Sequence, residues 1–464
     1  MSTFDYVVTI TDNTTTKTLT SSPYLIAEYH PRTDVFDQEF VTETLVIRVR
    51  DGSAANNLDE LRGIQKLLKQ AKEAQKDLNL GRVFITFLPT TGGTTYRSEI
   101  VEARGEWLAD TMSLPRWVAN SQRATIYITR RNWWEGPEAQ LDLDNDNGTN
   151  NTSGLNVFNC NDTTGTTPNI LVNFVGIDGA DVDGDLMAPT RLELTNLYST
   201  AATSYIYIGH NWTDPDNVVW HFEGEDGTTS GSVTSPSNQA DATCSGGQYK
   251  QFTVGSGGEI PVLGWAFTAA QVDAMAGRYF KAFIRFQSTS DLTNTWFRLK
   301  LLSSGSLTGT NTTLWQMQSQ VKPSTSYGHQ LREIFTFPIG IPNRTNQDEV
   351  QLWIFIEQDT GSNVTYRIDF IDLIPVDGYR TLNPSGLTQN NRLIDDGIEE
   401  QTYVDDGSGS SKYRGVADGG SYIMLYPGKN QRLYFLQNSS TINTAEVNRK
   451  MSVKLHYRPR RISL

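Results

Sequence analysis

The side chains able to do chemistry are few in this chain and are poorly grouped. Five histidines occur, His30, His210, His221, His329 and His456, and none forms an HExxH pair or stands at metal-ligand spacing from a cysteine. No GxGxxG, P-loop or GxSxG elbow is present. Asp369 and Asp372 lie three apart in Tyr366-Arg-Ile-Asp-Phe-Ile-Asp-Leu-Ile374. On a regular strand that spacing sends them to opposite faces, so they are not expected to share a glycosidase cleft. No catalytic residue and no enzymatic activity are expected. Two acidic loops have the alternation that suits a hard cation: Asp142, Asp144 and Asp146, and Asp178 with Asp181, Asp183 and Asp185. Neither completes an EF-hand, since the sixth position counted from Asp142 is Asn147 and the twelfth is Ser153. Calcium is the only metal with a candidate here, and solvated acidic turns are the favoured reading of both loops. Apart from it, no cofactor is expected.

Aromatic side chains offer a binding chemistry instead. Trp212, Trp220, Trp265, Trp296, Trp315 and Trp353 fall in the central region. An exposed indole face stacks on a pyranose, whereas a buried one fills a core. Trp296 and Trp353 sit inside strand patterns and are expected in the core. Trp212, in the loop-like His210-Asn-Trp-Thr-Asp214, is the glycan-binding candidate. Trp133 and Trp134, with Arg458, Arg460 and Arg461 of the C-terminal tail, are the interface candidates.

The elements that would hold these residues are mostly strands. The chain has 464 residues, too many for one ordinary core, and is rich in Gly, Ser, Thr and Asn with charged residues at only 20%. A net charge of −13 argues against a generic nucleic-acid surface. No run of eighteen apolar residues is present to span a membrane, and Met1 to Tyr6 does not open like a secretory leader. Cys160 and Cys244 are expected as free thiols.

Residues 1–145 read as a β domain carrying one helix, 58–78, whose Leu58, Leu61, Ile64, Leu68, Ala71, Ala74 and Leu78 form an apolar stripe. Asn57 with Glu60 resembles a capping box, and Gly81 lies just beyond the end. Residues 155–379 are short strands between turns, as in a jelly-roll β-sandwich, with one brief helix near 269–277. Residues 383–464 are too few strands to stand alone. They are expected to return to the N-terminal domain, with the sandwich inserted between.

Several segments together carry a family resemblance. Glu43-Thr-Leu-Val-Ile-Arg-Val-Arg50, the helix, Arg82 to Leu88 and Ile126-Tyr-Ile-Thr-Arg-Arg-Asn-Trp-Trp-Glu-Gly136 resemble the N-terminal part of siphovirus distal-tail proteins. Leu425-Tyr-Pro-Gly-Lys-Asn430 and Val453-Lys-Leu-His-Tyr-Arg-Pro-Arg460 are similar to the way those proteins end. Val364 to Ile374 resembles the last strand of jelly-roll carbohydrate-binding modules. The resemblance implies a mainly β fold: a β-barrel or sandwich ring domain with one packed helix, plus a large inserted jelly roll. It implies a structural virion protein, made in the host cytoplasm, that forms a ring, usually a homohexamer, at the distal end of the tail. Its partners would be its own copies, the tail tube, baseplate or tail-tip proteins and fibres, and host-surface glycans. The alternatives are another tail-tube or tube-terminating virion protein, and a phage-encoded carbohydrate-binding adhesin.

Overall fold

The computed structural model describes residues 6–26, 29, 31, 38–51, 53–77, 80–89, 93–107, 122–146, 148–150, 153–160, 171–212, 220–275, 278–288, 292, 294–304, 312–317, 330–339, 349–359, 361–375, 377–405, 413–414, 416–438 and 447–463. The chain is mainly β and separates into two units. One comprises 1–139 with 183–188 and 458–464; the other comprises 140–182 with 189–457.

The first unit is built on an antiparallel sheet. Its strands are β1 (Val7–Thr11), β2 (Thr16–Thr18), β3 (Tyr24–Ile26), β4 (Phe40–Val49), β5 (Phe84–Leu88), β6 (Tyr96–Trp107) and β7 (Gln122–Arg131), ordered β2-β1-β5-β6-β7-β4-β3. β4 and β7 pair over ten residues from Phe40↔Arg131 to Val49↔Gln122. Strict alternation buries Val41, Glu43, Leu45, Ile47 and Val49 of β4, as the apolar period of two requires. The helix α1 (Ala54–Ala74) lays Leu61, Ile64, Leu67, Leu68 and Ala71 on this sheet, over β1, β4, β6 and β7.

The helix starts four residues before the expected 58. Its N-cap is Ser53, whose Oγ accepts the Asn56 N–H at 3.2 Å. Ala54 and Ala55 extend the helix upstream at little entropic cost, and Asn57 instead uses its side chain to accept the Asp51 N–H at 2.5 Å. The helix ends at Ala74 rather than 78, with Gln75 as its C-cap; Leu78 lies outside the described residues.

The C-terminus closes the unit. A two-residue strand, β8 (Trp134–Glu135), pairs with β6 and with Arg460–Arg461, in register Arg460↔Glu135 and Arg461↔Trp134. Of the C-terminal segment, residues 458–464 belong to this unit. The strands before them go elsewhere. Arg392–Asp396 and Met451–Tyr457 flank Ala188–Asn196, and Gln431–Asn438 lies between Phe174–Ile177 and Tyr205–Asn211. Residues 383–457 therefore complete the second unit, a correction to the expected division at 383. The reason is that strand partners are chosen by facing apolar surfaces far apart in sequence, and each candidate strand carries the same alternation.

A second excursion is nested inside the first. His210 at the end of Tyr205–Asn211 pairs with Gly378 at the start of Gly378–Leu382. The chain between them, 220–375 in its described parts, folds into two antiparallel sheets. One contains Thr234–Ala240, Gln248–Val254, Val364–Pro375, Arg278–Ser288 and Gln330–Ile339 in that order, with His221–Glu223 also on Val364–Pro375. The other runs Thr228–Thr229, Gly257–Ala266, Glu349–Gln358, Thr295–Ser304, Thr312–Gln316. Phe252, Phe286, Tyr366 and Ile368 of the first sheet share a core with Leu263, Phe297, Leu299, Ile354 and Ile356 of the second. The sandwich thus spans about 220–375 instead of the expected 155–379. The brief helix is present as Ala269–Met275.

Close packing in this core is tested at Gly264, which lies opposite Trp353 in the ladder. A Cβ there would stand 2.4 Å from the Trp353 indole. Gly264→Ala is expected to destabilise the sandwich by about 1–3 kcal/mol through overpacking, measured as a shift in the urea midpoint; an unshifted midpoint would refute this reading.

Candidate functional site

Three strands of the second unit end side by side and bring loop side chains together. Tyr205–Asn211 lies between Gly378–Leu382 and Gln431–Asn438, with His210 opposite both Gly378 and Leu433. Beyond these ends stand Trp212, Asp377 and Tyr426. The Trp212 backbone N–H donates to Asp377 Oδ2 at 3.0 Å, and its ring lies 4.9 Å from Tyr426 at 40°. Glycine at 378 leaves room for the indole, since a Cβ there would meet Trp212 Nε1 at 3.3 Å.

A buried clasp fixes Tyr426. Its N–H donates to Gln431 Oε1 at 3.1 Å, and Gln431 Nε2 donates to the carbonyls of Tyr426 (3.0 Å) and Lys429 (3.1 Å). Gly428, with φ +69°, makes the turn between them. His210 sits 3.2 Å from Gln431 Oε1 through Nε2, and burial pushes its pKa down to about 3. A neutral imidazole with Nε2–H therefore supports the turn.

Trp212 is 37% exposed, whereas Trp220, Trp265 and Trp353 are buried. Among the described residues its indole N–H has no hydrogen-bond partner, and neither has Asp377 Oδ1. The result is a partly exposed indole packed beside Tyr426, with one donor and one carboxylate acceptor next to it. That set matches a sugar ring, whose C–H face is apolar and whose hydroxyls are both donors and acceptors. Sequence reasoning found Trp212 through its loop position. It missed Asp377 and Tyr426, which are 165 and 214 positions downstream and carry no local signal.

A second cluster is buried in the sandwich. His221 Nδ1 lies 2.6 Å from Asp372 Oδ1, and its Nε2 lies 2.9 Å from Glu223 Oε1 and 3.3 Å from Ser245 Oγ. Asn173 Nδ2 donates to Asp372 at 3.2 Å; the Ser245 N–H donates to Asp369 at 2.9 Å; Arg285 forms an ion pair with Asp369. The expectation that Asp369 and Asp372 face apart is overturned. Arg285 pairs with Phe370 and Phe286 with Ile368, so Asp369 is the extra residue of a β-bulge. The bulge shifts the alternation by one and directs both carboxylates into one network.

Ser245, His221 and Asp372 have the order of a nucleophilic triad, but the protonation is wrong for one. Ser245 Oγ donates to Glu223 Oε1 at 2.5 Å rather than to the imidazole. Burial alone would lower the His221 pKa, but Asp372 and Glu223 together raise it well above the ordinary histidine range. An imidazolium has no lone pair with which to take a hydroxyl proton. Ser245 is fully buried, and the cavity beside His221 and Asp372 holds about 10 Å³, hardly one water. The cluster acts as an ionic clamp among His221–Glu223, Val364–Pro375 and Arg278–Ser288. Cys160 and Cys244 are both buried free thiols, and burial pushes the Cys244 thiol up to about 12.

The remaining candidates separate. Trp134 is fully buried, against Phe87 (6.1 Å) and under Arg130 (4.4 Å), so it fills the core and is no interface residue. Trp133, on the other face, lies between Arg131 (5.5 Å) and Arg460 (4.5 Å). The three tail arginines named as interface candidates are engaged within their own unit. Arg458 donates to the Gly136 carbonyl at 3.0 Å, Arg460 pairs with Glu135 at 3.1 Å and Arg461 with Asp183 at 2.6 Å. Asp185 accepts the Ile462 N–H at 3.0 Å, so Asp183 and Asp185 serve the C-terminal strand. The Asp181 carbonyl receives the Tyr457 hydroxyl at 3.2 Å. Asp142, Asp144 and Asp146 are exposed and form no ion pair among the described residues. No group of three or more His, Cys, Asp or Glu side chains converges as a metal site among the described residues.

No protein-family model matches the chain, and no curated protein matches it. Among solved structures it is similar to a chain of the phage P2 baseplate in its activated conformation with Ca, at TM-score 0.25 and 8% identity, covering 77% of this chain and 99% of that one. It is also similar to a CBM4 structure (TM-score 0.18, 14% identity, 34% and 94% covered) and to a family 30 carbohydrate-binding module (TM-score 0.21, 12% identity, 40% and 88% covered). Likenesses this distant assign no role to any residue of this chain.

Proposed function

We propose that this chain is a structural protein of a phage virion that forms a ring at the distal end of the tail, joining the tube to the baseplate or tip. The reading rests on the distal-tail resemblance of segments at both ends of the sequence. The supporting observation is that β4, α1, β5 and β7 share one unit with β8 and with the closing residues Arg458 to Arg460, while Leu425–Asn430 and Val453–Tyr457 belong to the second unit. A unit closed by its own chain ends tolerates everything between as one excursion, 140–457 with only 183–188 returning. Symmetric self-association of such a unit gives a ring when the rotation closes. The test is the native mass by light scattering with negative-stain imaging. A closed ring near six copies is expected; a 51.8 kDa monomer at every concentration would refute the ring.

A second reading, saccharide binding, is favoured by the Trp212–Tyr426–Asp377 platform. Loss of one stacking indole removes about 1–2 kcal/mol of affinity, roughly a tenfold change. Trp212→Ala is expected to weaken retention about tenfold on whichever polysaccharides hold the parent in a glycan array. Retention unchanged by the substitution would move the site elsewhere.

A further inference from the structure

The charge of the chain is divided unevenly. Residues 1–139, 183–188 and 458–464 hold 19 Lys and Arg against 20 Asp and Glu, whereas the other unit holds 20 against 32. Net charge is thus −1 in the first unit and −12 in the second. Within the first unit, a groove of about 440 Å³ opens between α1 and β6. Its floor is Leu68, Ala103 and Gly105, and its walls carry Arg62, Lys66, Lys69, Lys72 and Arg104. Three of these cations have carboxylates beside them: Arg62 with Asp59 (3.0 Å), Lys69 with Glu73 (3.5 Å) and Lys72 with Glu102 (3.4 Å). Lys66 and Arg104 have no carboxylate partner among the described residues.

The complementary feature is in the second unit. Residues 140–182 contain six Asp and no Lys or Arg. Their hairpin, Leu143–Asn145 with Gly148–Asn150, leaves Asp142, Asp144 and Asp146 exposed while Leu143 is buried. Alternation puts Asp142 and Asp144 on one face, about 7 Å apart. On α1, Lys66 and Lys69 stand one turn apart, with Cβ atoms about 5–6 Å from one another, and both side chains are long enough to span the difference.

We propose that the Lys66–Arg104 groove receives the acidic hairpin 142–146 of a second copy of this chain. The inference rests on the ring reading and names the contact that would link neighbouring subunits. Opposite charges at such a contact fix register and orient the encounter more than they add affinity.

Light scattering on the full chain tests it, at about 0.1 M and about 1 M salt, between which the screening length falls from about 10 to about 3 Å. The parent is expected to assemble at the lower salt and dissociate at the higher. Lys66→Glu with Arg104→Glu, and separately Asp142→Lys with Asp144→Lys, are expected to weaken assembly about tenfold or more. Combining all four substitutions exchanges the charges and is expected to restore it, with circular dichroism confirming the fold of each variant. Undiminished assembly in either double variant refutes the groove contact and leaves the ring reading standing. Failure of the fourfold variant to recover refutes the pairing of groove with hairpin. A parent that stays monomeric overturns both. Retention of the parent on heparin, lost in Lys66→Glu/Arg104→Glu with the mass unchanged, would assign the groove to a polyanion and overturn the proposal.

Discussion

Arg130→Met is expected to cost the first unit about 3–5 kcal/mol, the typical effect of removing one partner from a buried ion pair. Arg130 is fully buried in β7, and its guanidinium holds Glu43 of β4 through Nε at 3.0 Å and a second nitrogen at 2.5 Å. It also donates to the Arg131 carbonyl at 2.8 Å and covers the Trp134 ring. Without it, Glu43 loses its cation while still held by the Tyr29 hydroxyl, at 2.7 Å, in a buried site. The carboxylate must then lose its charge or open the sheet, and a domain has only about 5–15 kcal/mol in all. Urea unfolding followed by tryptophan fluorescence measures the loss. Replacing both partners, Arg130→Met with Glu43→Leu, is expected to recover most of it because no charge is left unpaired. A single variant less than about 1 kcal/mol below the parent would show that the pair is hydrated.

His221→Gln carries the other large effect, and it depends on pH. In the folded chain the imidazole keeps its proton between Asp372 and Glu223 well above the ordinary histidine range, while in the unfolded chain it gives the proton up near 6.5. The folded state therefore binds more protons than the unfolded state above about 6.5. The stabilisation is complete below that value and is lost progressively as pH rises through the folded pKa, by up to about 1.4 kcal/mol per pH unit. Asp369 titrates in a different window: burial pushes its pKa up to about 7 despite Arg285, so its disfavoured charge is fully developed above that point. The parent sandwich is thus expected to lose thermal stability between pH 7 and higher values. His221→Gln is expected to be less stable at pH 7, by about 3 kcal/mol or more, and to show a flat profile above it. Parallel profiles for parent and variant would mean that His221 is neutral in the fold.

Elements governed by local pattern were legible beforehand. The alternation in β4, the apolar stripe of α1 and the brief helix at Ala269–Met275 appear in the structure near their expected places, with boundaries moved by capping. The exposure of Trp212 is legible too, because a Trp between Asn and Thr in loop-like sequence has no strand to bury it. Adjacent Trp133 and Trp134 could not be told apart in sequence. Consecutive residues on a strand point to opposite faces, and which face is the core depends on the sheet's partner.

Sequence by itself determined the class of the protein: strand-rich, with one long helix, and with most of its net negative charge in the middle of the chain. Tertiary structure decided which strands pair, and with that the placement of 383–457 in the second unit and the nesting of the sandwich between His210 and Gly378. It also decided both clusters of chemical interest. Asp377 and Tyr426 reach Trp212 only because three distant strands end together, and Asp369 joins Asp372 only through a bulge. The physical reason is common to all of these. Periodicity of side chains is a property of a few consecutive residues, whereas strand pairing and bulge position are settled by the burial of surfaces contributed from the whole chain.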